Sequence, residues 1–324
     1  MATDPVRPSE AGTGPQVPNV AGFPAVPSGG DDSPQTPPDH GGAARPPIPP
    51  GPGRTGRNLP VAIGVGAILG GLVFLTLLTV KATFLIYLGV AIAIALAELA
   101  GAFAKRGIEI PVIPVAAGGA AIVTCMYWLG SRAVLAALAL TVVVIFAWRL
   151  PGGPSGYVKD VTAGVFAVLY LPFLASFAVA MLAPADGPRR VLTFVIVTVC
   201  SDIGGYFAGI TLGRTGRHPM APAISPKKTW EGFAGSVVAC LLAGWLCVTL
   251  MLHGHAWQGL LLGAAVVLAA ILGDLVESVI KRDLDIKDMG TLLPGHGGVL
   301  ERLDSLLVVA PVAWLLLYLF IPAG

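Results

Sequence analysis

Residues 82–104 read ATFLIYLGVAIAIALAELAGAFA and contain one charged residue, Glu98. An α-helix rises about 1.5 Å per residue, so a helix of this length crosses the roughly 30 Å hydrocarbon core of a bilayer. Hydrocarbon offers the backbone no hydrogen-bond partner, and a spanning apolar stretch therefore forms a helix. Similar apolar runs recur on both sides of this one. The sequence predicts an all-α, polytopic integral membrane protein.

Nine transmembrane helices are predicted, at residues 60–80, 82–104, 111–129, 132–149, 160–182, 190–213, 233–252, 257–280 and 304–322. The composition agrees, because 12% of the residues are charged against about 25% in soluble domains. Residues 1–58 hold half of the 28 prolines, a composition that buries too little apolar surface to fold. We expect a disordered cytoplasmic tail over 1–58 and a transmembrane catalytic domain over 59–324.

Lys and Arg are distributed unevenly between alternate loops. If the tail lies inside, the opposite loops keep only Lys81, Arg132, Arg189 and Arg190. Cytoplasmic loops carry the excess of positive charge. The tail and two long loops, 214–232 and 281–303, are therefore predicted to face the cytoplasm of the cell, with the C-terminus outside the cell membrane. The net charge of +2 without a clustered basic face predicts no nucleic acid partner.

Polar residues that could carry chemistry begin at Asp202, which lies inside an apolar span and is followed by Gly204 and Gly205. A carboxylate at that depth is costly unless it is paired, so Asp202 is either functional or a hydrogen-bonded packing residue. Further on, Ser225-Pro226-Lys227-Lys228-Thr229 precedes the next apolar run. Two ammonium groups beside hydroxyls at a helix start suit a polyphosphate, although juxtamembrane lysines also serve only as topology anchors.

The segment 273–305 alternates acids, bases and glycines. At helical spacing Asp274, Ser278 and Lys281 share one face, while Glu301 and Asp304 share another. Oxygen ligands of this kind suit Mg²⁺ or Mn²⁺, and the neighbouring cations complete the set that phosphoryl and nucleotidyl transfer requires. The alternative is simple ion pairing, of Asp274 with Lys281 or Arg282 and of Glu301 with Arg302.

A family resemblance lies in the same segment, at Ser278, Lys281, Arg282, Lys287, Asp288, Pro294, His296, Gly297, Gly298, Arg302 and Asp304. In these positions the chain resembles the phosphatidate cytidylyltransferases, or CDP-diglyceride synthases. One position departs, since the family usually has Asp where this chain has Glu301. The resemblance implies that CTP and phosphatidic acid react in the lipid bilayer to give CDP-diacylglycerol and pyrophosphate.

The resemblance and the residue chemistry together assign candidate roles. The catalytic candidates are Asp274, Lys287, Asp288 and Arg302. The substrate-binding candidates are Ser225, Lys227, Lys228, Thr229, Ser278, Lys281, Arg282, His296, Gly297 and Gly298. The metal-ligating candidates are Asp274, Glu301, Asp202, Asp288 and Asp304. A second cation and a homodimer both stay open.

Three other functions are compatible with parts of the sequence. A CTP-dependent polyprenol or lipid kinase would use the same cation-rich site to transfer a γ-phosphate. A secondary transporter could relay ions through Glu98, Asp202, Asp274 and Glu277, but its expected internal repeat is not evident. A purely structural scaffold would leave the acid and base cluster without a role.

Overall fold

The computed structural model of the chain describes residues 59–212, 218–290 and 297–322. The helices are α1 Leu59–Thr79, α2 Lys81–Ala104, α3 Val112–Trp128, α4 Ser131–Arg149, α5 Tyr157–Val168, α6 Leu174–Leu182, α7 Gly187–Thr211, α8 Trp230–Met251, α9 Ala256–Asp283 and α10 Leu300–Phe320. A π-helical turn, Leu169–Phe173, joins α5 to α6. The predicted tail over 1–58 lies outside the described residues.

The all-α, polytopic prediction is confirmed, and each predicted span coincides with a helix. Within the described ranges, seven helical segments are long and apolar enough to cross a membrane, with α5, the π-turn and α6 counted as one. The helix α3 and the part of α1 over Gly70–Thr79 are apolar but shorter. The protein is a multi-pass membrane protein, and the predicted number of nine spans is approximate.

The predicted loop over 214–232 contains a small hairpin that the sequence did not indicate. Strand β1, Pro219–Ala221, pairs antiparallel with β2, Ser225–Thr229. The Thr229 hydroxyl then accepts a hydrogen bond from the Gly232 amide at 3.1 Å. This N-cap satisfies one of the free donors at the helix start, so α8 begins at Trp230 rather than at 233.

The helices α9 and α10 extend beyond their predicted ends at the polar side. Lys281 and Arg282 lie in the last turn of α9, and Glu301 lies in the first turn of α10. Cations near a helix C-terminus and an acid near an N-terminus are favourable towards the helix dipole. Hydropathy alone predicts helices that are too short, because the charged residues extend each helix beyond its apolar run.

Small residues bring the last four helices close together. A Cβ atom on Gly235 of α8 would lie 2.5 Å from the Gly204 carbonyl oxygen of α7. On α9, a Cβ atom on Gly273 would lie 2.6 Å from the Asp304 carbonyl oxygen of α10. Glycine permits such backbone contact in membrane helices. The backbones of α9 and α10 therefore approach closely beside Asp274 and Asp304.

The opposite end of α10 is held by Arg190 of α7. Its guanidinium donates to the Asp186 carboxylate at 2.8 Å and to the carbonyl oxygens of Leu317, Ile321 and Pro322 at 3.2, 3.0 and 2.9 Å. The Ile321 and Pro322 carbonyls lie past the last turn of α10, where the helix itself supplies no donor. The pairing fixes α10 against α7 at this end of the bundle.

Candidate active site

The hairpin and the two last helices meet at Asp274. The Lys228 ammonium of β2 lies 2.5 Å from Oδ2 of Asp274, and the Ser305 hydroxyl of α10 donates to Oδ1 at 2.9 Å. The Lys228 and Asp274 side chains are 23% and 30% exposed, so both remain reachable from outside. The contact joins the segment predicted to bind phosphates, 225–229, to the acid-rich segment 273–305.

Lys281 bridges two carboxylates one helical turn away. Its ammonium lies 2.8 Å from Oε2 of Glu277 and 3.2 Å from Oε1 of Glu301. Both carboxylates are nearly buried, at 4% and 6% exposure. The Gly298 amide donates to Oε2 of Glu301 at 3.2 Å. Gly297 has a φ of 80°, and a Cβ atom there would overlap the Glu301 carboxylate, so this turn requires glycine.

Two further carboxylates face the same space. Asp304 is buried, accepts the Ser305 amide at 2.6 Å, and interacts electrostatically with Asp274 and Glu277. Asp202 of α7 interacts electrostatically with Asp274, Lys228 and Arg302. These contacts connect α7, β2, α9 and α10 in one polar site.

The excess of acidic over basic side chains in this site favours the binding of a cation. Among the side chains that the structure describes, the connected carboxylates are Asp202, Asp274, Glu277, Glu301 and Asp304, and the connected cations are Lys228, Lys281 and Arg302. Acids therefore outnumber bases, which is costly at membrane depth unless positive charge is added. Within the described ranges, no three His, Cys, Asp or Glu side chains group as a ready metal cage. Mg²⁺ typically takes only one or two protein carboxylates, so this donor set fits it.

Glu98 of α2 holds the start of α10. Its carboxylate accepts hydrogen bonds from the Val299 amide at 3.0 Å and from the Leu300 amide at 2.9 Å. These amides belong to the donors that a helix start leaves free, and the negative charge also favours that end of the helix dipole. Glu98 thereby positions the turn that carries Glu301.

A model of the cytidylyltransferase family matches residues 61–320. The chain belongs to this family. It is similar to the phosphatidate cytidylyltransferase of Mycobacterium leprae, with 42% identity over 282 residues that cover 82% of this chain and 89% of the relative. It is also similar to the enzyme of that name from Mycobacterium bovis, with 41% identity over 279 residues that cover 82% and 90% of the two chains.

Most predicted site residues of this cytidylyltransferase lie in the polar site, but some lie apart from it. Lys287 and Asp288 are exposed in the segment after α9. Arg282 contacts the Ile224 carbonyl oxygen at 3.4 Å, on the hairpin. Ser225 and Ser278 are half-buried, and Thr229 is buried as the cap of α8. His296 and the side chain of Lys227 lie outside what the structure describes.

The simple ion-pair alternative named other partners than those in the salt bridges of the described residues. Asp274 pairs with Lys228, which belongs to another element, rather than with Lys281 or Arg282. Glu301 pairs with Lys281.

Three residues of the site received no role in the predicted transferase. Glu277 could have been found, because an acid four residues before Lys281 on a helix predicts an ion pair. Ser305 and Glu98 gave no comparable signal, since their contacts join elements that are distant in the chain.

Proposed function

We propose that this chain transfers the cytidylyl group of CTP to phosphatidate and so forms CDP-diacylglycerol and pyrophosphate. Family membership and the names of the two mycobacterial relatives support this function. The observation that carries it is the Lys228–Asp274 contact, because it brings a cation for substrate phosphates and an acid for a metal ion into one site. The multi-pass fold brings this site to a lipid substrate.

The reaction forms one bond and breaks one. A phosphate oxygen of phosphatidate attacks the α-phosphorus of CTP, and the bond from that phosphorus to the oxygen bridging to the β-phosphate breaks. Pyrophosphate departs with the electron pair. Such transfers depend mostly on positioning and on neutralising charge, which Lys228, Lys281 and Arg302 supply. A covalent nucleophile on the protein is not required.

Mg²⁺, or Mn²⁺ in its place, is proposed as the cofactor. A bound divalent ion supplies charge that polarises a phosphoryl oxygen. Asp274 and Asp304 are the first candidates to hold it, because their carboxylates interact where the backbones of α9 and α10 approach closely. Asp202 and Glu301 are the next candidates. Asp288 is exposed and is the weakest of the predicted ligands.

The site is proposed to face the cytoplasm from the cell membrane, where soluble CTP and a lipid can meet. The uneven distribution of Lys and Arg supports this orientation. A homodimer would bury part of the apolar face that α4 exposes at Leu140, Val143 and Trp148. The mass of the detergent-solubilised protein would decide between monomer and dimer.

A labelling experiment tests the proposed function. The purified protein is incubated with phosphatidate and with CTP that carries the label either at the α-phosphate or at the γ-phosphate. We expect lipid labelled only from the α-position, together with released pyrophosphate. Lipid labelled from the γ-position would instead identify a CTP-dependent lipid kinase. Asp274→Asn serves as the negative control, because it removes the acid that joins the two halves of the site.

A further inference from the structure

The π-turn between α5 and α6 holds a buried tyrosine that the site description has not yet used. Tyr170 is 6% exposed, and its hydroxyl has no hydrogen-bond partner in the described part of the chain. The ring stacks on Phe166 with 5.2 Å between centroids and 13° between planes. Turns of this kind occur often at functional sites. The stacked ring fixes where the hydroxyl points.

The surroundings of this hydroxyl are acidic. Asp304, Glu277 and Asp274 all act on it electrostatically, although α5 and α6 carry none of these acids. Tyr170 therefore borders the polar site from the π-turn, an element that supplies none of these acids.

Glu277 has one carboxylate oxygen without a hydrogen-bond donor. Its Oε2 holds Lys281 at 2.8 Å, whereas its buried Oε1 has no partner among the described residues. A buried polar atom without a partner costs about 1–3 kcal/mol. The phenol group is a donor and the carboxylate oxygen is an acceptor, so a hydrogen bond between them would remove both costs.

We propose that Tyr170 is a positioning residue that donates a hydrogen bond to Oε1 of Glu277 and so holds Lys281 in place for the transfer reaction. The inference rests on the proposed function. Tyr170 does not touch the substrates in this scheme. It acts through Glu277, whose second oxygen orients the ammonium group of Lys281 between Glu277 and Glu301.

Tyr170→Phe tests the role in catalysis, because it removes only the hydroxyl and keeps the stacked ring. We expect kcat to fall about tenfold, as for the loss of one hydrogen bond to a charged group, with KM for CTP and for phosphatidate within about twofold. Tyr87→Phe on α2 is the matched control, since Tyr87 is half-buried and is not part of the polar site; both of its constants should stay normal. An unchanged kcat in Tyr170→Phe would overturn the positioning role.

A double-mutant cycle tests the contact without using activity. Unfolding temperatures are measured for Tyr170→Phe, for Glu277→Leu, which removes the acceptor oxygens, and for the double variant in the same detergent. We expect the double variant to lose clearly less than the sum of the single losses. Additive losses would overturn the contact and would direct attention to Asp304 as the acceptor. If the unmodified protein forms no CDP-diacylglycerol, the proposed function fails, whereas the cycle still decides whether Tyr170 and Glu277 interact.

Discussion

The carboxylates of the polar site differ in the partners that hold them. Asp274 is bound by Lys228 and Ser305 and remains partly exposed, whereas Glu301 is buried under Lys281 and the Gly298 amide. Each carboxylate already has a lysine and a hydrogen-bond donor, but the exposed one can reach a metal ion that keeps water and substrate phosphates in its shell. Asp274 therefore ranks above Glu301 as a metal ligand.

Substitution of the acids should show this ranking. Asp274→Asn should lower kcat by several orders of magnitude, because it removes a ligand and the partner of Lys228. Glu301→Gln should also lower kcat. Glu301→Asp should stay active, with an altered preference between Mg²⁺ and Mn²⁺. Activity is measured across a titration of each metal, with the exposed Asp285→Asn as control. Near-normal activity of Glu301→Gln throughout the titration would remove Glu301 from the ligands and leave Asp304 as the partner of Asp274.

Lys228 should contribute to the binding of CTP. Its ammonium lies beside Asp274 on an accessible strand, where it can reach a phosphate that binds next to that acid. Lys228→Met should raise KM for CTP about tenfold, as expected for a charge-assisted contact, and should change KM for phosphatidate less. Lys105→Met is the control, because Lys105 is an exposed juxtamembrane lysine outside the site. If both variants keep the normal CTP dependence, Lys228 is only a topology anchor.

At the scale of elements, the start of α10 depends on Glu98 of α2. Glu98→Gln keeps one carbonyl oxygen but loses the charge, so one of the two amides, Val299 or Leu300, loses its acceptor. We expect a loss of about 1–2 kcal/mol in stability and a lower kcat, because the turn before Glu301 loosens. Thermal unfolding and activity are measured together. The exposed Glu109→Gln is the control, and equal behaviour of the two variants would argue against the cap.

The elements of this fold differ in how far the sequence predicts them. The spans follow directly from apolar length, which is why residues 82–104 coincide with α2 to within one residue. The polar ends of α9 and α10 cannot be predicted from apolar length, because Lys281, Arg282 and Glu301 continue the helices with charged residues.

The sequence likewise predicts some features of the candidate site and not others. Its residue types could be predicted from the segment 273–305, and the pairing of Glu277 with Lys281 follows from helical spacing. The contacts of Lys228 with Asp274, and of Glu98 with the start of α10, join residues far apart in the chain. Such contacts are fixed by helix packing, which one sequence does not specify.

At the scale of the whole molecule, the polar site lies at one end of the bundle and the Arg190 anchor at the other. Seven spans or nine spans are both odd numbers, so either count places the two termini on opposite sides. With the excess of Lys and Arg inside, the C-terminus should be external. A reporter fused to the C-terminus that is active only outside the cytoplasm should be active, and one fused to the N-terminus should be silent. The reverse pattern would place the site outside.

The N-terminal segment should be dispensable for catalysis. The family match begins at residue 61, and the contacts of the polar site described above come from α2, α7, the hairpin, α9 and α10. A Pro-rich segment of this composition buries little apolar surface and adds little to the stability of a helical bundle. Deletion of residues 1–55 should therefore leave kcat and both KM values within about twofold. The variant is first checked for normal membrane insertion and for an unchanged unfolding temperature. A variant that passes both checks but has lost activity would show that the segment takes part in the reaction or in the binding of a substrate.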